Sequence, residues 1–358
     1  MRRLLPIVVL AGITATGVFL FQVMGETPKA EKFCGVSWVG GAEVNQHHFK
    51  PLLDNHVNWI VQTPFSWMGA HDEPGITMST QNSYYWGESD VGLRKTTQLA
   101  HDQGIKVLLK PHIWMRSSTG KWRSDIQMEN EEEWRLWFEN YEHFITHYAE
   151  LAEEMKIEGL CIGTELYHPT TERSEDFTRL IRKIRTIYSG KLIYAANWYQ
   201  EYEEISFWGE LDYIGIQAYF PLGEKLDPNR DDLMGGWQSH LEKIEALSRK
   251  YDKPVLFTEV GYRSMKDASI EPWKWPDNRN FSMEDSSPET QAVCYEAMYE
   301  TFWDKEWFAG TFIWKWYPHL EESDERPVDF TPQYKPAEKV IRKYYQRSSS
   351  LSSISMAD

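Results

Sequence analysis

The chain has 358 residues, enough for one large α/β barrel or two average domains, and carries a formal net charge of −16 with a pI near 5.2. That charge excludes a nucleic-acid backbone or an anionic membrane surface as the natural partner, because the long-range field repels both. Aromatic residues make up 15%, with 17 Trp and 19 Tyr, more than a core alone requires, and flat apolar faces with a polar edge suit an amphipathic ligand.

At the N-terminus, Arg2 and Arg3 precede an apolar stretch from Leu4 to Val23, after which the chain turns polar and meets Pro28. Residues 1–30 are therefore expected to be a signal peptide, cut near Gly25, or a retained signal anchor. The body is then exported, and any membrane attachment is through this segment alone. Short apolar runs alternate with longer amphipathic ones from there on, the pattern of βα units around a parallel sheet. Eight runs read as strands: CGVSW (34–38), VNWIVQTPFSW (57–67), IKVLLKPHIW (105–114), IEGLCIGTEL (157–166), KLIYAANW (191–198), LDYIGIQAYF (211–220), PVLFTEVGY (254–262) and FAGTFIWKWYP (308–318). Nearly unbroken apolar sequence is what a strand covered on both faces shows.

Between the strands the period changes. Phe177, Leu180, Ile181, Ile184 and Ile187 fall on one helical face, with Arg179, Arg182, Lys183 and Arg185 on the other. Trp237, Leu241, Ile244, Leu247 and Tyr251 repeat the pattern after the sixth strand, and KPAEKVIRKYYQR (335–347) closes the eighth unit. Eight units predict a single (β/α)8 TIM barrel over residues 31–346, followed by a Ser-rich, disordered tail at 347–358. Links from helix to strand are brief, whereas the segments after strands are long: 68–89, 115–130, 221–232 and 263–287. Loops beyond about 12 to 15 residues are usually functional, so the site is expected on the C-terminal face of the barrel.

Two apolar runs end on Thr-Glu, placing Glu165 after the fourth strand and Glu259 at the end of the seventh. An ionised carboxylate there is costly unless paired, solvated or used. Two carboxylates facing one another across a barrel mouth are what acid-assisted nucleophilic cleavage of a glycosidic bond requires, and a separation of about 5 to 5.5 Å retains configuration. Other strand-end groups suit sugar contacts: Trp38 as a stacking face, His112 as a hydroxyl partner, and Trp273 and Trp275 as platforms in the long seventh loop. Lys110 shares a face with His112, but a Schiff-base lysine would leave both glutamates without a task. Three cysteines, Cys34, Cys161 and Cys294, stand at spacings that fit neither zinc ligation nor a disulfide framework, and Cys161 reads as a small core residue. His47 and His48 lie in a helical segment without a third ligand at suitable spacing. No metal and no cofactor are expected.

CIGTELYH, LDYIGIQAYFPL, LFTEVGYRS and FIWKW, in this order and spacing, resemble glycoside hydrolase family 113, over roughly Phe33 to Tyr345. The resemblance implies a retaining β-mannanase of the large (β/α)8 clan, with Glu165 as general acid/base and Glu259 as nucleophile. It also implies that Tyr219 hydrogen-bonds the nucleophile and that Trp314 floors the subsite where cleavage starts. The wider clan commonly has Asn before its acid/base; here that position is Thr164, and Asn197 at the end of the fifth strand is expected to take over the contact to the sugar 2-hydroxyl.

The expected activity is endo-cleavage of β-1,4-mannosidic bonds in mannan or glucomannan by a monomer, through a covalent glycosyl-enzyme. The alternatives are the same machinery on glucan, xylan or chitosan, a lysine-dependent aldolase, and a non-catalytic glycan-binding barrel, which would have lost at least one of the two carboxylates.

Overall fold

In the computed structural model, residues 31–80, 85–117, 120–276, 281–321 and 326–355 are described; the expected signal segment lies outside them. Eleven strands are formed among these residues: β1 Phe33–Trp38, β2 Trp59–Gln62, β3 Phe65–Met68, β4 Ile76–Met78, β5 Lys106–Leu109, β6 His112–Met115, β7 Gly159–Thr164, β8 Lys191–Asn197, β9 Tyr213–Gln217, β10 Val255–Val260 and β11 Phe308–Trp316. Eight of them close a parallel barrel in the order β1-β11-β10-β9-β8-β7-β5-β2, with β1 also pairing β2. This is the (β/α)8 barrel that the alternating periods predict.

Two expected strands are shorter than the apolar runs suggest. The second stops before Pro64 and the third before Pro111, and each resumes beyond its proline as β3 and β6. Proline has no N–H for a ladder and fixes φ, so the chain leaves the barrel there. Beyond the break, β6 pairs parallel to β3 and β4 pairs antiparallel to it, a three-stranded sheet above the barrel mouth.

The helices are α1 Lys50–Asp54, α2 Asp90–His101, α3 Glu131–Met155, α4 Tyr167–Thr171, α5 Ser174–Arg185, α6 Glu201–Glu204, α7 Arg230–Tyr251, α8 Pro288–Phe302 and α9 Pro336–Ser355. Their starts carry the expected chemistry: the Ser89, Asn130, Asn229 and Ser287 side chains accept from backbone N–H groups in the first turns of α2, α3, α7 and α8. On α5, Phe177, Leu180, Ile181 and Ile184 are buried as their spacing requires. The last helix runs on to Ser355, through most of the tail expected to be disordered. Serine costs only about 0.5 kcal/mol per helical position, and Ser348 and Tyr345 are buried on this helix.

Side chains from seven strands fill the barrel interior: Phe33, Trp59, Val61, Leu108, Cys161, Ile193, Ala195, Leu256 and Phe312. Gly35 makes room for one of them, since a Cβ at that position would lie 2.2 Å from the Phe312 ring. All three cysteines are free and buried, Cys161 within this interior. A second, larger cluster joins the outer strand faces to the helices, so the packed barrel is a rigid base for the loops at its C-terminal end.

Candidate active site

At that end lies a cleft of about 1120 Å³. Every residue expected from the sequence to act in catalysis or sugar binding lines it: Trp38, His112, Glu165, Asn197, Tyr219, Glu259, Trp273, Trp275 and Trp314. They arrive from seven different barrel strands or the loops that follow them, far apart in sequence but convergent in the fold.

Glu259 sits in β10 among donors. Lys110 Nζ donates to its Oε1 at 2.5 Å and Tyr219 Oη to its Oε2 at 2.8 Å. Lys110 is 0% exposed and also reaches the Thr258 carbonyl at 3.2 Å and Gln217 Oε1 at 3.4 Å. A lysine so enclosed is a counter-charge for the carboxylate, and it does not line the cleft. Burial, and then the neighbouring Glu259 charge, push the Tyr219 hydroxyl well above its ordinary range; Glu165 adds to the same effect. Tyr219 is therefore a neutral donor next to both glutamates.

Glu165 is held differently. It follows β7 with φ +53°, a left-handed conformation that a non-glycine residue rarely adopts, and its N–H donates to the Ala195 carbonyl at 2.9 Å. Three donors converge on one oxygen, Oε2: Trp122 Nε1 at 2.9 Å, Arg123 Nε at 3.1 Å and Arg123 Nη2 at 2.9 Å. The other oxygen, Oε1, has no hydrogen-bond partner among the described residues, which leaves one side of the carboxyl open to a ligand. Trp122 and Arg123 come from the loop after β6, and nothing in the periodicity of GKWRSD marks them; only the folded chain brings them to Glu165.

His112 is buried, and burial, then the Arg123 and Lys110 cations, push its ring well below the ordinary range, so it is a neutral imidazole at pH 7. Its Nδ1 accepts from Arg123 Nη1 at 3.5 Å, while Nε2 has no partner among the described residues. Asn197 Oδ1 accepts from the Tyr199 N–H at 3.1 Å, leaving its amide nitrogen as a donor. Thr164 is buried and does not line the cleft. Trp38 differs from expectation: it is 3% exposed and stacks on Phe49 with ring centres 4.8 Å apart, so it is a core residue that borders the cleft and offers no open stacking face. Trp273 packs face to face on Trp198 at 5.0 Å, and Trp275 meets Trp314 edge-on at 6.2 Å. His47 and His48 lie in a short 3-10 helix outside the cleft.

One buried acid had no signal in the sequence. Glu201 is 0% exposed, driven inward by a rare γ-turn in which Gln200 takes φ +60° and ψ −62° and the Glu201 N–H donates to the Tyr199 carbonyl at 2.7 Å. Its Oε1 accepts from Thr170 Oγ1 at 3.1 Å and from the Tyr194 hydroxyl, and its Oε2 from the Asn197 N–H at 2.7 Å. Tyr194 Oη in turn accepts from the Leu166 N–H at 2.6 Å. Glu201 thus ties the residue after Glu165 to the end of β8. Burial raises its carboxyl to about 7, against the pull of Asn197 and Tyr194, with the Glu165 charge adding to the rise.

The native state therefore binds this proton more tightly than the unfolded chain, and the stabilisation is lost as pH climbs from the ordinary carboxylate range to about 7. Glu201→Gln should remove this slope, so that wild-type minus variant unfolding free energy falls by about 3 kcal/mol between pH 4 and 7.5. Denaturant unfolding across that range checks it; parallel curves would contradict it.

An eight-stranded parallel barrel with two separately held carboxylates at the mouth of an aromatic-lined cleft is the architecture of a glycoside hydrolase. The chain belongs to Glycoside Hydrolase Family 113, whose model matches residues 41–339. It is similar to the GH113 β-mannanase AaManA from Alicyclobacillus acidocaldarius, solved in complex with ManMIm, at 25% identity and a TM-score of 0.77, covering 89% of this chain and 98% of that one. Two further structures of GH113 β-1,4-mannanase, one of them a complex, are 27% and 26% identical with TM-scores of 0.74, each covering 88% of this chain and 99% of the other. No curated protein matches the chain at a significant level.

Proposed function

We propose that this glycoside hydrolase is a retaining, endo-acting β-1,4-mannanase in which Glu259 is the nucleophile and Glu165 the general acid/base. The observation that carries the reading is the unequal setting of the two carboxylates. Both oxygens of Glu259 are engaged by donors, one from the buried Lys110 and one from Tyr219, an environment suited to an anion that must attack the anomeric carbon. Glu165 has all its donors on one oxygen, and the free oxygen can carry a proton to the leaving glycosidic oxygen, then take one from water in the second step.

In this mechanism Glu259 attacks as Glu165 protonates the departing sugar, and the glycosyl-enzyme ester is hydrolysed by water that Glu165 deprotonates. His112 Nε2 and the Asn197 amide supply donors for ring hydroxyls, and Trp314 floors the subsite. The mannan assignment draws on the similarity to GH113 β-mannanases. Reducing-end release from mannan, glucomannan, glucan, xylan and chitosan tests it: the first two should be cleaved, and cleavage confined to another glycan would overturn the substrate while keeping the mechanism. Export or anchoring by residues 1–30 is part of the proposal, supported by the apolar stretch from Leu4 to Val23, and N-terminal sequencing of the mature protein tests it. A monomer is proposed too, to be checked by light scattering.

Trp273 and Trp275 are 42% and 55% exposed at the cleft edge, which supports several sugar subsites and endo-type products. Trp275→Ala should weaken binding of long oligosaccharides by about 1 to 2 kcal/mol, read as a rise in KM that fades on short ones. An equal effect on all lengths would remove it as a platform. Product sizing on polymeric mannan should show an early fall in viscosity; monosaccharide alone from the first time points would contradict an endo mode.

A further inference from the structure

Among the described residues, five charged side chains line the cleft: Glu88, Arg123, Glu165, Glu259 and Lys315. Of its two cations, Arg123 is committed to Glu165. Lys315, beside Trp314 on β11, has no carboxylate within ion-pair distance and no hydrogen-bond acceptor among the described residues. Its ammonium stands instead among aromatic faces, 4.8 Å from the ring centre of Trp275, 4.9 Å from Tyr317 and 5.8 Å from Trp314. These rings attract a cation through their quadrupoles but leave its three N–H groups without oxygen partners. Half-buried as it is, the ammonium has given up part of its contact with solvent without gaining an acceptor among the described residues, and burial, opposed in part by the Asp329 charge, lowers its proton affinity.

The nearby acid, Asp329, attracts it from beyond ion-pair distance, an effect smaller than that of burial. Asp329 accepts from the Tyr317 hydroxyl at 3.2 Å and stands 4.0 Å from Arg326, whose guanidinium covers Tyr317 at 4.3 Å from the ring centre. The ring is thus flanked by two cations, Lys315 and Arg326, and only Arg326 stands within ion-pair distance of the acid. A ligand oxygen with full negative charge is what this place lacks: charge-assisted hydrogen bonds are shorter and about twice as strong as neutral ones, and a partly desolvated site magnifies the difference.

We propose that Lys315 makes the part of the cleft next to Trp314 a subsite for a carboxylate carried by the sugar chain, so that the substrate is a mannan with acidic residues or substituents. The proposal rests on the reading of the cleft as a glycan site and narrows its substrate. The net charge of −16 sets the density of such groups: isolated carboxylates on an otherwise neutral chain are admitted, whereas a polyanion is repelled before it reaches the cleft. Two sources present the same chemistry, the C6 carboxylate of a uronic acid unit and a carboxyl-bearing ester on a ring hydroxyl.

The test compares β-1,4-mannan oligosaccharides of one length in three forms: neutral, sparsely oxidised at C6, and sparsely O-succinylated. Binding is measured by calorimetry in a Glu259→Gln background that does not consume the ligand, with and without Lys315→Met or Lys315→Arg. At least one acidic form should bind about tenfold more tightly than the neutral one at low salt. That ratio should shrink with added salt, fall towards one in Lys315→Met, and survive in Lys315→Arg. Which acidic form shows it identifies the source. A ratio unchanged by Lys315→Met, or acidic forms that bind no better than neutral, overturns the subsite. Cleavage assays of the wild type on the neutral form are separate: failure there with a Lys315-dependent ratio intact would sink the neutral-mannan reading and leave this one standing.

Discussion

Replacing Glu259 by alanine is expected to lower kcat/KM on every substrate by about 10⁴- to 10⁶-fold, the scale on which loss of a covalent nucleophile is felt. No improvement of the leaving group rescues it, because the missing step is bond formation to the anomeric carbon. Azide entering the vacated space should attack from the face opposite to the departing group and give the α-glycosyl azide. The substitution also strands Lys110, which is fully buried and loses its counter-charge. Removing one partner of a buried pair costs about 3 to 5 kcal/mol, so Glu259→Gln, which keeps the shape and an acceptor oxygen, serves as the folded control. Good activity of a well-folded Glu259→Gln would exclude Glu259 as nucleophile.

Glu165→Ala should fail in another way. Loss of general acid help costs about 10²- to 10⁴-fold on a polysaccharide, whose leaving oxygen needs a proton. On an aryl glycoside whose leaving group departs as a stable anion, the loss in the first step should nearly vanish, and the glycosyl-enzyme should accumulate. Azide should then capture it as the β-azide, with net retention. Trp122 and Arg123 lose their shared acceptor in this variant, so the loop that carries them should loosen, visible as faster amide exchange around residues 121–125. An α-azide from Glu165→Ala would exchange the two roles.

Much of this site was legible before the fold was known. The barrel followed from eight alternations of period, and the cleft from the unequal lengths of the two kinds of connection, because both are local properties of the chain. Glu165 and Glu259 stood out because a carboxylate closing a buried strand is costly unless it is used. Apart from the Tyr219–Glu259 hydrogen bond, which the family resemblance implies, what escaped was defined by a partner. Arg123 is an ordinary loop arginine until it meets Glu165 across 42 positions, Lys110 meets Glu259 across 149, and Glu201 is an unremarkable acid in a run of them until a strained turn drives it under Asn197. The open face expected of Trp38 is missing for a related reason: a tryptophan at a strand end shows its size in the sequence, but which face is already covered, here by Phe49, is decided by packing. The breaks at Pro64 and Pro111 were visible as letters, yet their consequence, a separate sheet over the mouth, depends on where two distant strands resume side by side.

The central claim is a double displacement at one cleft by Glu259 and Glu165, and the anomeric configuration of the first product reports on it most directly. Wild-type protein is mixed with a β-1,4-mannohexaose at a concentration high enough to outrun mutarotation, and the nascent reducing end is followed by proton NMR. The β-anomer should appear first, with the α-anomer growing in later as the sugar equilibrates. An α-anomer formed first would show a single displacement by water and contradict the assignment of Glu259 as a nucleophile.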